Sequence, residues 1–159
     1  MKPLSIEDAR EAYRIGLKRH RDHDNKGTAN NFGERSEDNK HQDGMAALAE
    51  ATVAAFLEMD WVRDAGGADD GADVGGVVGV RWTNLPNGGL ILKTTDRDYV
   101  PHVLVVGWTF PLRMVGWAIP QAARLPSRWR EDIPKPAYIV PQSCLRSMDS
   151  LEAHLRSTT

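Results

Sequence analysis

Apolar residues recur at three- and four-residue spacing from Met45 to Leu57, which predicts an amphipathic helix that Asp43 caps and that ends near Asp60. Glu50 lies off this stripe, on a face where a solvated helix would carry Lys, Glu or Gln. We therefore expect another element to pack there, and a buried carboxylate then needs a cation, a metal or several donors. The alternative is an exposed glutamate. The stripe is Met45, Leu48, Ala49, Thr52, Val53, Phe56 and Leu57, and the Glu50 face carries Ala46, Ala47, Ala51, Ala54 and Ala55.

The chain ahead of this helix is mostly polar. Residues 5–20 predict a charged helix, with Ser5 as its N-cap and Asp8 in the first turn. Residues 21–43 contain glycine and a dense run of Asn, Asp, Lys and Glu, which favours a loop that becomes ordered only on binding. Residues 1–43 are therefore predicted to be an N-terminal helix and polar segment that precede the main domain.

Beyond residues 64–76, which are rich in Gly and Asp, the pattern becomes that of strands. Residues 77–83 and 90–95 predict a hairpin whose turn is the Pro-Asn-Gly-Gly cluster at 86–89. The uninterrupted apolar run at 103–106 is typical of a central strand buried on both faces. Two more strands are predicted at 114–119 and 137–140, separated by an Arg-rich passage, and a last short helix begins at Asp149.

This order of helix, three or four strands, connector and strand predicts a single α+β (α/β) domain over residues 44–159, with a central mixed β-sheet flanked by helices. The chain has 159 residues, of which 41% are hydrophobic and 26% charged, as in an ordinary soluble protein with a real core. One cysteine, Cys144, excludes an intrachain disulfide and a thiolate zinc cluster. No signal core or membrane-spanning run is evident, so the expected location is the cytoplasm.

Charge is distributed unevenly along the chain. Residues 37–73 hold ten acidic residues against two basic ones, which suits a divalent cation. Residues 99–148 reverse the balance, with six basic residues against two acidic ones and aromatic residues between them, which suits a phosphate backbone and stacked bases. The candidate nucleic-acid contacts in this segment are Arg124, Arg128, Trp129 and Arg130.

Four residues carry the candidate chemistry. Glu50 lies on a helix, Asp73 just before a strand, Arg81 within that strand and Lys93 on the next one. Phosphodiester cleavage uses carboxylates that hold Mg²⁺ (or Mn²⁺), a metal that activates water, and a cation that stabilises the phosphate charge. Dinucleotide-binding and P-loop motifs are excluded, because the glycines at 75, 76 and 79 precede a strand instead of a helix.

A helix acid, a strand acid and a strand cation, on this order of elements, resemble the PD-(D/E)XK nuclease-like superfamily. Several short motifs look like those of a family of small phage and metagenomic proteins of that type, across residues 44–148. They include Asp73-Val74-Gly75, Val80-Arg81-Trp82-Thr83, Asp96-Arg97-Asp98, Val103-Leu104-Val105, Gly116-Trp117 and the run from Pro136 to Ser143. The resemblance implies a bacteriophage hydrolase that acts on DNA in a bacterial cytoplasm.

One departure from that pattern concerns the metal. The superfamily motif has an acid two residues before the basic residue, where this chain has Gly79. Residues two apart on a strand share a face, so the third metal ligand is missing beside Asp73 and Arg81. In one alternative, Asp69 or Asp70 supplies this ligand, and the metal set is then Glu50, Asp73 and Asp70. In the other, the metal site is degraded, and the protein binds nucleic acid or a host protein without cleaving anything.

Three functions remain open from sequence. The first is a Mg²⁺-dependent nuclease. The second is an inactive nuclease fold that binds nucleic acid or a host protein, in which Glu50 pairs with Arg81. The third is an assembly protein with an acidic and Trp-rich interface. Trp82, Trp108 and Trp117 are expected in the core, whereas Trp129, between two arginines, is the expected contact residue.

Overall fold

The computed structural model describes residues 2–25, 37–61 and 72–158. They form a mixed α+β arrangement of helices and two small sheets. The helices are α1 (Ile6–Asn25), α2 (Glu37–Leu57), α3 (Pro120–Ala123) and α4 (Leu151–Ser157). The strands are β1 (Gly79–Thr83), β2 (Leu90–Leu92), β3 (His102–Val106), β4 (Arg113–Ala118), β5 (Trp129–Arg130) and β6 (Ala137–Val140).

The two long helices reach further than the sequence pattern predicts. Ser5 caps α1 as expected, because its hydroxyl accepts a hydrogen bond from the Asp8 amide at 3.1 Å. However, α1 continues to Asn25 and α2 already begins at Glu37, so Asp43 lies inside α2 and does not cap it. The predicted polar loop over 21–43 is therefore shorter at both ends, and residues 26–36 lie outside the described residues.

The helices α1 and α2 meet at two glycines. A Cβ atom added at Gly16 would lie 2.3 Å from the Asp43 carbonyl oxygen and 2.5 Å from the Gly44 Cα atom. A Cβ atom at Gly44 would lie 2.4 Å from the ring of Tyr13. The missing side chains therefore allow the two backbones to approach closely, and Ala9 and Ala12 are buried in the same contact.

The first sheet has the strand order β1-β3-β4. β1 runs parallel to β3, and β3 runs antiparallel to β4. All five residues of β3 are buried, which confirms the prediction of a central strand covered on both faces. The face with Val80, Val103 and Val105 packs in one buried cluster with the apolar stripe of α2 and with Ala9 and Ala12 of α1.

The second sheet lies on the opposite face and is antiparallel, with the order β2-β6-β5. The predicted hairpin of residues 77–83 and 90–95 is therefore wrong, and so is the single central sheet. The physical reason is that the turn at 86–89 sends the chain to β6 instead of back along β1. Gly89 permits this, because a Cβ atom there would lie only 2.8 Å from the Val140 carbonyl oxygen.

Both outer edges of the first sheet carry capping groups. At the β4 edge, Trp117 and Arg146 exchange two backbone hydrogen bonds of 3.0 and 2.9 Å. At the β1 edge, the Val80 amide donates to the Asp73 carboxylate at 2.8 Å. No helix within the described ranges is long and apolar enough to cross a membrane.

The glycine contact predicts an unusual response to Gly16→Ala. Replacing a helical glycine with alanine ordinarily stabilises a protein by about 0.4–1 kcal/mol. At Gly16 the new methyl group meets backbone atoms, so we expect a loss of about 1–3 kcal/mol in the free energy of unfolding, as in an overpacked core. Urea denaturation measures this loss. Lys18→Ala, an exposed change on the same helix, is the control and should alter stability little; a stabilised Gly16→Ala protein would contradict the close contact.

Candidate functional site

Glu50 meets a cation from the other helix. Its carboxylate accepts a hydrogen bond from the Arg19 guanidinium at 2.9 Å, and the two side chains are only 13% and 14% exposed. This confirms that another element, α1, packs on the alanine face of α2 and that the buried carboxylate has a cationic partner. The Arg19 guanidinium also lies 5.5 Å from the centre of the Trp61 ring.

Asp73 lies beside the outer edge of β1, where its carboxylate accepts the Val80 amide. The following turn folds tightly, because Gly75 and Gly76 adopt φ values of 60° and 70° that favour glycine. Val74 forms isolated bridges with both Val78 and Trp61. Asp73 is therefore held in place by the backbone of the strand that follows it.

Arg81 points away from the helices. Val80 and Trp82 face α2, so Arg81 between them faces the second sheet. There its guanidinium donates to the Asp96 carboxylate at 2.7 Å. The hypothetical ion pair between Glu50 and Arg81 is therefore wrong, because the two side chains lie on opposite faces of the first sheet.

Asp96 is the carboxylate that lies beside Arg81, a contact that the sequence pattern does not predict. It lies in the turn after β2 and is only 7% exposed. Its second oxygen accepts the Lys93 amide at 2.7 Å, and His102 Nε2 is 3.7 Å from its first oxygen. The Nδ1 atom of His102, which is itself fully buried, is 2.8 Å from the Val100 carbonyl oxygen and donates to it. Asp96 thus binds Arg81 through its guanidinium and Lys93 through its backbone amide.

The Arg-rich passage is largely engaged within the protein. The Arg124 guanidinium donates to the carbonyl oxygens of Lys93, Thr94 and Asp96 at 3.0–3.3 Å and pairs with the Asp98 carboxylate. Arg124 therefore ties the turn after β2 to the end of α3. Arg128 likewise donates to the Ala123 carbonyl oxygen at 2.8 Å.

Trp129 and Arg130 lie at the edge of the second sheet. The Trp129 ring packs edge-on against Tyr138 at 4.9 Å, and its Nε1 atom donates to Glu131. Arg130 forms two hydrogen bonds of 2.7 and 2.6 Å with Asp132. These bonds lower the pKa of the Asp132 carboxyl to about 2. The indole of Trp129 and the guanidinium of Arg130 therefore already have partners within the protein.

The carboxylates of the predicted metal set do not form a ligand group within the described residues, which contain no cluster of three or more His, Cys, Asp or Glu side chains. Glu50 is bound to Arg19, and Asp73 accepts a backbone amide. Asp69 and Asp70 lie outside the described residues. The described donors therefore do not fit Mg²⁺.

Another surface of the protein is basic and aromatic, and its centre is Trp108. The prediction that Trp117 is a core residue is confirmed, since it is 1% exposed, and Trp82 packs against the core while partly buried. Trp108, however, is 40% exposed, so its predicted core position is wrong. The reason is that the chain leaves β3 at Gly107, whose φ of 138° turns it outward. Phe110 follows with 39% exposure.

Several contacts hold the exposed Trp108 ring in one position. It stacks on Trp82 at 5.7 Å with an angle of 24° and meets the ring of His41 at 4.4 Å. Trp82 Nε1 donates to the Gly107 carbonyl oxygen at 2.8 Å, and the Tyr13 hydroxyl lies 2.7 Å from His41 Nδ1. Burial raises the pKa of the Tyr13 hydroxyl above its ordinary value. The ring is therefore presented to solvent by a rigid support from α1, α2 and β1.

Two adjoining grooves of about 450 and 480 Å³ flank Phe110, which lines both of them. We call this area the basic–aromatic surface. Among the described residues, its charged side chains are all cations, and neither Arg10 nor Arg14 forms an ion pair. A third groove on the opposite flank of α1 is lined instead by Asp8 and Glu11. The basic–aromatic surface comprises Lys2, Pro3, Leu4, Ile6, Ala9, Arg10, Tyr13, Arg14, His41, Met45, Leu48, Thr52, Phe56, Trp108, Thr109, Phe110, Pro111, Leu112 and Met114.

Sequence reasoning missed this surface, although α1 carries a signal for it. Ile6, Arg10 and Arg14 follow one another at four-residue spacing, so they lie on one edge of the helix. Trp108 and Phe110, which follow β3, carry no comparable signal in the sequence, because an aromatic residue at that place fits a core strand equally well.

Comparisons with known proteins leave the assignment open. The chain matches no protein-family model, no curated protein and no solved structure. The resemblance to PD-(D/E)XK nucleases therefore stays a prediction that rests on the motifs of the sequence.

The Arg19–Glu50 pair predicts a large cost for Glu50→Gln. The change removes the Glu50 charge from beside the mostly buried Arg19 guanidinium, so we expect a loss of about 3 kcal/mol in the free energy of unfolding, measured with urea. Glu11→Gln, on the exposed side of α1, is the control. A double replacement of Arg19 and Glu50 by Met and Leu should recover part of the loss. Equal stability of Glu50→Gln and Glu11→Gln would contradict the pair.

Asp96 and Asp98 offer a matched pair of variants in one turn. Asp96→Asn leaves the Arg81 guanidinium without a buried counter-charge and should cost about 2–3 kcal/mol in stability. Asp98 is 62% exposed, so Asp98→Asn should cost under about 1 kcal/mol although it also loses an arginine partner. Thermal and urea unfolding of both variants measure the difference. Equal losses would show that burial does not distinguish the two ion pairs.

Proposed function

We propose that this protein binds nucleic acid, with DNA as the favoured target, through the basic–aromatic surface. One observation carries the proposal: two adjoining grooves present cations and exposed aromatic rings, and no acidic side chain is among the described residues that line them. Cations attract phosphates, and aromatic rings stack on bases, so this pairing matches both parts of a nucleotide chain.

The local charge supports this proposal better than the net charge does. The whole chain has a formal net charge of −2, which by itself does not favour a polyanion. Arg10 and Arg14 of α1 lie on one flank, however, with Asp8 and Glu11 on the other. Interactions between exposed charges fade beyond about 8–10 Å in physiological salt, so a bound phosphate responds to the near flank more than to the far one.

Binding of nucleic acid at this surface is expected not to require a metal ion. The described residues of its lining include no carboxylate, so they offer Mg²⁺ no ligand of its preferred kind. The grooves therefore support binding as an activity separate from cleavage.

Phosphodiester hydrolysis is the second candidate function, and a different observation favours it. Glu50 holds Arg19, Arg19 lies over Trp61, and Trp61 pairs with Val74 beside Asp73. These contacts connect the two predicted acids through three residues. A metal site there needs Arg19 to release Glu50 and a third ligand from residues 62–71, for which Asp70 is the candidate from sequence.

Binding is tested with labelled DNA, supplied as a mixture of single strands and duplex, in buffers with EDTA or with Mg²⁺. We expect binding that weakens with salt, is unchanged by EDTA, and is reduced in the double variant Arg10→Ala/Arg14→Ala. The slope of log K against log salt is negative, and each lost phosphate contact should make it less steep by about 0.7–0.9. Lys18→Ala, an exposed cation on α1 that does not line either groove, is the control. Unchanged binding by the double variant would refute the proposal.

Plasmid nicking in Mg²⁺ or Mn²⁺ tests the second candidate on the same samples. Asp73→Asn is the cleaner probe, because Glu50→Gln also removes the charge partner of Arg19 and lowers stability. Nicking that disappears in folded Asp73→Asn would establish hydrolysis, whereas intact binding without nicking would leave the protein as a binding module.

A further inference from the structure

We infer that the basic–aromatic surface takes single-stranded nucleic acid in preference to duplex, with a base stacked against Trp108 and with its backbone phosphates on Arg10 and Arg14. This inference rests on the proposed function, since it specifies the form of nucleic acid that the same grooves bind.

The apolar grooves favour unpaired bases. In a duplex, the flat faces of the bases are stacked on each other, and a protein reaches only their edges and the backbone. An exposed ring is a stacking partner only for a base that is out of the stack. Trp108 and Phe110 are 40% and 39% exposed, and both line the first of the two grooves.

The size of the grooves is consistent with this inference. Volumes of about 450 and 480 Å³ fall within the range of roughly 300–1,000 Å³ in which proteins hold small molecules. Phe110 separates the two grooves and lines both, so a strand that crosses this ring places successive bases on either side of it. A duplex, which is stiff and carries its phosphates outside, would leave both grooves unfilled.

The support of Trp108 makes stacking efficient. An exposed ring that is free to rotate loses conformational entropy when a base orders it. Trp108 is already fixed between Trp82 and His41, at 5.7 and 4.4 Å. Its orientation is therefore set before binding, and the stacking contact does not have to create it.

The positions of the two arginines fit a backbone that runs along α1. Arg10 and Arg14 are four residues apart on one helix edge, which places them about 6 Å apart along the helix axis. Both are exposed and both line the Trp108 groove. Within the part of the chain that the structure describes, neither forms an ion pair. Their guanidinium groups are thus available to neighbouring phosphates of one strand, next to the ring that takes the base.

The test compares the affinities of a labelled oligothymidylate, which does not pair with itself, and of a mixed-sequence duplex, in EDTA at one salt concentration. We expect the single strand to bind at least tenfold more tightly. Trp108→Ala should weaken single-strand binding by about tenfold or more, the usual effect of one lost stacking ring, and leave duplex binding nearly unchanged. Trp108→Phe, which keeps a ring, should retain most of the affinity.

Two controls separate stacking from loss of folding or of exposed apolar area. Leu125→Ala removes an apolar side chain of 43% exposure that lies outside both grooves and should leave binding unchanged. Circular dichroism melting of each variant establishes that it is folded. Intrinsic tryptophan fluorescence gives a second measurement, because quenching by the oligothymidylate should be lost when Trp108 is replaced by Phe.

The outcomes distinguish this inference from the function on which it depends. Equal or tighter binding of duplex, with Arg10→Ala/Arg14→Ala still defective, overturns the inference and leaves nucleic-acid binding intact. No binding of either form overturns both, and binding of an acidic polyglutamate peptide in that case would identify a protein partner instead. Loss of binding in Leu125→Ala to the same degree as in Trp108→Ala would also overturn the assigned site.

Discussion

The close contact of α1 with α2 is the constraint on which the rest of this structure depends. Because Gly16 and Gly44 have no side chains, the backbones of the two helices nearly touch. That proximity buries the Arg19–Glu50 pair on one flank of the contact. On the other flank it brings Tyr13 to His41 and thereby supports Trp108. The ion pair and the candidate binding surface thus share one structural cause, although they lie on opposite sides of α1.

The buried charged groups of the first sheet lie on one of its faces, beside a second apolar cluster. The helical face of this sheet holds alternating valines against α2, whereas its other face carries Arg81, Asp96 and His102 near the second sheet. Charged groups in such a position are stable only with complementary partners. Here Asp96 pairs with Arg81 and accepts the Lys93 amide, and Arg124 holds the backbone of that turn. The arginine that sequence assigns to phosphate chemistry therefore has a structural task in the described fold.

The patterns with local physical causes were predictable. The uninterrupted apolar run of β3, the strand at 137–140 and the covered alanine face of α2 all follow from periodicity and burial, and the structure confirms them. The partners of β1 and β2 were not predictable in the same way, because the Pro-Asn-Gly-Gly cluster fits a hairpin as well as a wide turn. Pairing depends on contacts 46–50 residues away in β6, which short windows of sequence do not contain.

The candidate site was only partly accessible to sequence for a similar reason. The prediction that a buried Glu50 needs a cation, a metal or several donors is met by a cation, but Arg19 lies 31 residues earlier and no local pattern identifies it. Trp108 resembled a core residue because its exposure is set by the φ angle of Gly107. Asp96 was noticed only as part of a motif, since its role beside Arg81 depends on a turn that brings residues 15 positions apart together.

The capped edges of the first sheet limit the ways in which a partner can attach. The side of β1 is engaged by Asp73, and the side of β4 by the chain around Arg146. A peptide that adds itself as an extra strand needs a row of unsatisfied amides and carbonyls along such an edge. At these capped positions the backbone is already committed, so a partner strand cannot form hydrogen bonds with the Val80 amide or with the backbone of Trp117. The same contacts oppose edge-to-edge self-association at these two positions, because the groups that would extend the ladder there are engaged within the protein.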